Sequence, residues 1–170
     1  MTNNLQSHDH QSNTDANSKE FLSFVLGDEH YALNIMSVKE IRGYEAVTKI
    51  ANAPNFIKGV INLRGDIVPV VDLRLKFAVG EATYNEFTIV IMLNVADRIV
   101  GIVVDAVSDV IRLADDEIRP PPEFGVGFDS RYLLGLVAIE DHMVILVNIE
   151  SLISSDEFGL VDTQIATSED

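Results

Sequence analysis

Short apolar runs rich in β-branched residues recur along the chain, separated by glycine, proline, asparagine or charge. Ile57 to Leu63 and Ile67 to Val71 flank Arg64-Gly65-Asp66, whose glycine supplies what a tight hairpin turn needs, so this stretch predicts a β-hairpin with an arginine at its tip. Asp72 follows and is expected to cap a helical turn over Leu73 to Phe77 by accepting backbone N–H bonds. Upstream, Glu20 to Leu26 and His30 to Ile35 read as strands around the turn Gly27-Asp28-Glu29, and Met36 to Ile41 reads as an exposed strand broken by Arg42-Gly43-Tyr44. Val47 to Ile50 predicts a further short strand. Downstream, Glu86 to Leu93 and Ile99 to Val104 form a second hairpin, Val107 to Leu113 a strand, and Tyr132 to Ile139 with Met143 to Asn148 a last hairpin that leads into a helical piece from Ile149. Ala114 to Phe128 contains Pro120-Pro121-Pro122, which no sheet interior accepts, and reads as a long loop.

These elements occur twice. At an offset of 69, Tyr31 to Ile41 matches Val100 to Val110 in apolar pattern; at 76, Gly59 falls on Gly135, Val70-Val71 on Leu146-Val147, and Asp72 on Asn148. The seven-residue slip lies where an insertion costs least, in the proline-rich loop. The polar tract Gly80 to Asn85 marks the boundary between the copies. Five short strands per copy bury a face by curling closed, so the expected fold is all-β: two five-stranded antiparallel barrels with short helical turns. Each copy is marginal in size by itself, which predicts a hydrophobic seam shared between them.

Residues 1–18 have almost nothing to bury and are expected to be a disordered tail, with one domain over 19–155 and an acidic tail or short helix over 156–170. The apolar fraction of 47% predicts a folded protein, the absence of cysteine excludes disulfides and thiolate chemistry, and no run approaches the roughly 20 apolar residues of a membrane helix. A cytoplasmic protein is expected. The net charge of −15 disfavours nucleic acid and anionic lipid, and it is uneven: −2 over residues 1–85 and −13 over 86–170. Within 38–77, Lys39, Arg42, Lys49, Lys58, Arg64, Arg74 and Lys76 outnumber the acids, a basic belt suited to a charge-steered protein partner or simply a set of solvated surface charges.

Catalytic constellations are missing. Asp66 and Asp72 have turn and cap roles, no glycine-rich phosphate motif is present, and the histidines lie far apart in sequence. His8-Asp9-His10 lacks the further ligand a metal needs, so neither a metal nor a cofactor is expected. An enzyme on a β-barrel and an oligonucleotide-binding double barrel are the alternatives, the second opposed by the acidic half and by the lack of aromatics interleaved with basic residues. Val38, Ile41, Val107 and Val110 either line a groove between the barrels or form the seam.

The words V-K-E-I-R-G-Y and G-V-I-N-L-R-G-D-I-V-P-V-V-D-L-R, and the chain from about Glu20 to about Ser155, closely resemble the CheW family of adaptors. That resemblance implies a pair of SH3-like barrels and a non-enzymatic role in coupling methyl-accepting chemotaxis receptors to the histidine kinase CheA, or in a related signalling array. It implies that a receptor's helical tip docks on Val38, Glu40, Ile41, Gly59 and Arg64 with Val110 opposite, and that Glu40 and Arg64 form an ion pair. It further implies that the like-built regulatory domain of CheA packs end to end against a barrel, for which Val47, Thr48 and Phe124 are the candidates. Such a protein is a monomer alone and a lattice member in complex, its modest contacts adding through effective concentration.

Overall fold

The computed structural model describes residues 18–121 and 130–154. Its strands are β1 (Ser18–Leu26), β2 (Glu29–Asn34), β3 (Val38–Gly43), β4 (Ile57–Leu63), β5 (Asp66–Asp72), β6 (Ile89–Val95), β7 (Arg98–Val104), β8 (Ala106–Ala114), β9 (Leu133–Ile139) and β10 (His142–Val147). Two short helices, α1 (Leu73–Lys76) and α2 (Ile149–Ile153), follow β5 and β10. Phe124, the His8-Asp9-His10 tail and the acidic C-terminal stretch lie outside the described residues.

The β4–β5 hairpin turns on Arg64 and Gly65, both at positive φ (53° and 94°), with Leu63 opposite Asp66, the two-residue turn whose twist matches that of its strands. Asp72 caps α1 as expected, its Oδ1 accepting the Arg74 amide at 2.9 Å. Asn148, its counterpart in the repeat, caps α2 by accepting from the Ser151 amide at 3.2 Å. Three expected strands start late or shrink: the one read from Glu86 begins at Ile89, and two more are shorter than read. Ile35–Ser37 is a 3₁₀ turn closed by the Asn34 side chain on the Met36 amide, so β3 begins at Val38, and of Val47 to Ile50 only Thr48 pairs with a strand.

The two sheets do not coincide with the two copies. Strand order is β8-β1-β2-β10-β9 in the first sheet and β3-β6-β7-β5-β4 in the second, so each copy contributes its first hairpin to the other copy's barrel. This corrects the expectation of purely antiparallel barrels. Where an exchanged hairpin meets the host copy's own hairpin the pairing is parallel, with Leu146 opposite Ala32 in the first sheet and Val70 opposite Gly101 in the second, while its other edge pairs antiparallel with β8 or β3. Parallel neighbours require a long connection, and here the rest of the chain provides it.

Each barrel closes through one isolated bridge. Thr48 and Val60 exchange backbone bonds of 2.9 and 2.8 Å, and Arg119 and Leu136 do the same at the equivalent place. The backbones approach so closely there that a Cβ on Gly59 would lie 2.1 Å from the Thr48 carbonyl oxygen, and one on Gly135 2.4 Å from that of Arg119.

The expected seam is present and is the larger core. Leu22, Phe24, Leu26 and Leu33 of the first sheet pack with Ile91, Leu93, Ile102 and Val104 of the second, joined by Leu73, Leu152 and Ile153 of the helices. Each such buried side chain contributes about 1.5–3 kcal/mol. Smaller cores fill the barrels, around Phe21, Leu113 and Val144 in one and Leu63, Val68 and Met92 in the other. On β6, Val90 and Met92 enter the barrel while Ile91 and Leu93 enter the seam, so both faces are buried and the sequence is apolar without alternation.

Candidate protein-docking surfaces

Along the edge strand β3, which pairs only with β6 in its sheet, burial alternates. Val38, Glu40 and Arg42 are half-buried, whereas Lys39, Ile41 and Gly43 are exposed. The hairpin tip brings Arg64 to Glu40, Nη2 to Oε2 at 3.5 Å, as the resemblance implied. Arg42 reaches the other Glu40 oxygen at 3.5 Å and Glu45 at 3.3 Å, giving a charge ladder Glu45, Arg42, Glu40, Arg64 across β3 and the hairpin. On so exposed a surface each pair contributes about 0–1 kcal/mol, so the ladder orients charges more than it stabilises the fold.

The four aliphatic candidates divide. Val38 and Val107 pack against the shared core and belong to the seam, while Ile41 (45% exposed) and Val110 (50%) stand in solvent at equivalent positions of the edge strands β3 and β8. Gly59 is buried and, at φ 148°, holds the barrel-closing bridge; it has no side chain to offer a partner, and its contribution to a docking face is the shape of the hairpin beneath it. Thr48 is exposed on that bridge, and Val47 packs against the smaller core of the same barrel.

Sequence reasoning missed a buried polar cluster. Arg74, counted above in a surface belt, is 1% exposed and Asp72 is fully buried. The Arg74 guanidinium donates from Nε and Nη2 to the two Asp72 oxygens at 3.1 and 2.9 Å, and from Nη1 to Asp105 Oδ1 and the Thr83 carbonyl, each at 2.8 Å. Tyr84 donates its hydroxyl to Asp72, and Asp105 Oδ2 accepts the Gly27 amide at 2.7 Å. Burial alone would lower the Arg74 pKa, but the hydrogen bonds and charges of Asp72 and Asp105 outweigh it and raise the group above its ordinary value. Burial, then the Asp72 hydrogen bond and charge, push Tyr84 well above the usual tyrosine range. Arginine stays charged, the phenol stays protonated, and the cluster holds structure. The available signal was D-L-R inside the apolar run V-P-V-V-D-L-R-L-K-F, charges with greasy neighbours on both sides.

His30 and His142, distant in sequence, lie ring to ring, 4.1 Å between centroids and tilted by 30°, because β2 and β10 pair. Among the described residues no group of three or more potential ligands is arranged to hold a metal, and no helix is long and apolar enough to cross a membrane.

Comparison with known proteins meets this geometry. The CheW-like domain family model matches residues 20–157. A chemotaxis protein CheW of Klebsiella aerogenes is 58% identical over 144 residues, covering 85% of this chain and 87% of that one, and one of Rhizobium meliloti is 37% identical over 139 residues, covering 82% and 90%. A solved structure, that of the scaffolding protein TtCheW from Thermoanaerobacter tengcongensis, superposes with a TM-score of 0.73 at 33% identity over 82% of this chain and 94% of that one. Two barrels with exchanged hairpins, the hairpin words that build them and this breadth of likeness lead to one conclusion: the chain belongs to the CheW family.

Proposed function

We propose that the chain is a chemotaxis coupling adaptor that joins receptor to kinase by binding each on its own face and catalysing nothing itself. The observation that carries this reading is the 58% identity to a chemotaxis protein CheW across most of both chains. The receptor face is built from Ile41, Glu40 and Arg64, with Val110 on the equivalent strand and Val38 and Gly59 shaping it from beneath. Its exposed aliphatics and ordered charges suit an amphipathic helical tip, which presents apolar anchors flanked by charge. The kinase face lies at Thr48 and Val47, with Phe124 as a further anchor, so that a like-built barrel from the CheA regulatory domain stacks against it. The protein works in the cytoplasm, a monomer until it joins its partners.

Co-purification tests it. The protein is incubated with a receptor-tip fragment, a CheA regulatory fragment, or both; retention of each alone and of all three together is the expected result. Failure to retain either fragment overturns the reading.

A further inference from the structure

The seam between the barrels is apolar, and apolar burial is non-directional: it fixes how two bodies are turned through packing shape, less sharply than hydrogen bonds do. Among the described residues, a set of directional bonds crosses the division at Asp105, the single residue between β7 of the second sheet and β8 of the first. Its amide donates to the Val25 carbonyl of β1 at 3.0 Å and its Oδ2 accepts from Gly27 in the β1–β2 turn at 2.7 Å, both in the first sheet. Its Oδ1 accepts from Arg74 of α1, beside the second sheet, at 2.8 Å. Arg74 is itself locked by both oxygens of Asp72. The same turn presses on the 77–88 connection, where a Cβ on Gly27 would lie 3.2 Å from the Gly80 Cα.

The repeat shows that this tie is no general requirement of the fold. At the equivalent positions stand Met36 for Asp105, Asn148 for Asp72 and Glu150 for Arg74. Met36 is 86% exposed, so the counterpart of the carboxylate is a solvent-facing thioether. The polar cluster has been built once, on one side of a repeated structure. A buried ion pair seldom adds net stability over an apolar replacement, and its best-attested use is to fix a register.

We infer that the Asp105–Arg74 bond sets the relative orientation of the two barrels and thereby places Val110 of the first barrel against Ile41, Glu40 and Arg64 of the second, the two parts of the receptor face. This rests on the receptor-face reading above. Asp105 and Arg74 are positioning residues: both act through the barrels that they join.

The test uses the full chain. Because it contains no cysteine, spin labels can be placed by Asn94→Cys on β6 and Ala138→Cys on β9, both exposed and one in each sheet. Pulsed dipolar spectroscopy then reads the distance between the barrels. Asp105→Ala leaves Arg74 its Asp72 partner, and the distance distribution is expected to broaden about twofold once a directional bond is lost and the apolar seam remains. Capture of the receptor-tip fragment falls about tenfold or more, as when geometry stops two parts of a site engaging together, while capture of the kinase fragment, whose described contacts lie on one barrel, stays at the wild-type level. Tyr84→Phe removes a donor from the same cluster without touching the bonds between barrels, and its distribution stays narrow; broadening there too would reduce the cluster to a stabilising role and overturn the inference. If Asp105→Ala does not fold, Asp105→Asn, which keeps the shape and loses the charge, carries the same measurement. An unchanged distribution overturns the inference, as does a broadened one with receptor-tip capture intact. If the wild-type protein binds neither fragment, the adaptor reading fails, while the spin-label distances still judge the orientation of the barrels.

Discussion

Replacing Gly59 with alanine puts one methyl group where the second barrel closes. The added Cβ would lie 2.1 Å from the Thr48 carbonyl oxygen and 2.7 Å from its carbon, both backbone atoms, at a φ of 148° that side chains rarely adopt. If the backbone holds, the strained φ costs about 1–3 kcal/mol. If it gives way, the two Thr48–Val60 bonds of 2.9 and 2.8 Å are lost at about 1 kcal/mol each, and local packing suffers by about 1–3 kcal/mol. A 2.1 Å contact with a backbone oxygen cannot stand, so the second route applies and leads to a destabilisation of about 3–5 kcal/mol, a large part of the 5–15 kcal/mol that holds a typical domain together. Gly135→Ala meets the Arg119 carbonyl at 2.4 Å and the Ile118 Cγ2 at 2.7 Å and should cost a similar amount. Gly43→Ala, with nothing within 4 Å of the new atom, is the control and should change stability by less than about 1 kcal/mol. Urea unfolding followed by circular dichroism measures all three, the midpoint falling at constant slope for the first two. A Gly59→Ala protein within about 1 kcal/mol of wild type would refute the view that this close approach closes the barrel.

Arg64→Ala removes a pair on an arginine that is 73% exposed, so unfolding free energy should move by less than about 1 kcal/mol while capture of a receptor fragment weakens; a matching loss of stability would contradict the assignment. Ile41→Asp should likewise weaken capture with little loss of stability, whereas Val38→Asp should lose both, by about 1–3 kcal/mol in stability, because Val38 packs against the seam; equal thermal shifts would contradict this division. Tyr31, Tyr44 and Tyr84 all sit above the ordinary value of 10.0, burial being the first cause in each. A raised pKa in the fold stabilises it fully below the unfolded value and is lost as pH rises through the folded one, so ultraviolet titration should show tyrosinate lagging free tyrosine and appearing with unfolding. A curve that follows free tyrosine would contradict it.

The hairpin at Arg64-Gly65, the Asp72 cap and the duplication were legible in the sequence because each is a local matter of turn chemistry or word order. The Glu40–Arg64 pair came from the resemblance, and the structure brings it together. The exchange of hairpins was not legible. Periodicity tells which faces are apolar but not which strand lies alongside, and β6 reads the same whether β3 or β8 is its neighbour. The burial of Arg74 was hidden for a similar reason: a charge is assigned to the surface until the carboxylates that satisfy it are seen, and Asp105 lies 31 positions away. The approach of His30 to His142 depends on the same parallel joint. Val38 and Ile41, three residues apart, looked alike in sequence, and only the packing separates seam from solvent.

A coupling adaptor needs two partner faces that can be damaged one at a time. Thr48→Arg and Ile41→Asp, each confirmed folded by circular dichroism, are titrated separately with the CheA regulatory fragment and the receptor-tip fragment by calorimetry. Ile41→Asp should lose affinity for the receptor tip alone and Thr48→Arg for the kinase fragment alone; variants that weaken both partners equally, or neither, would contradict it.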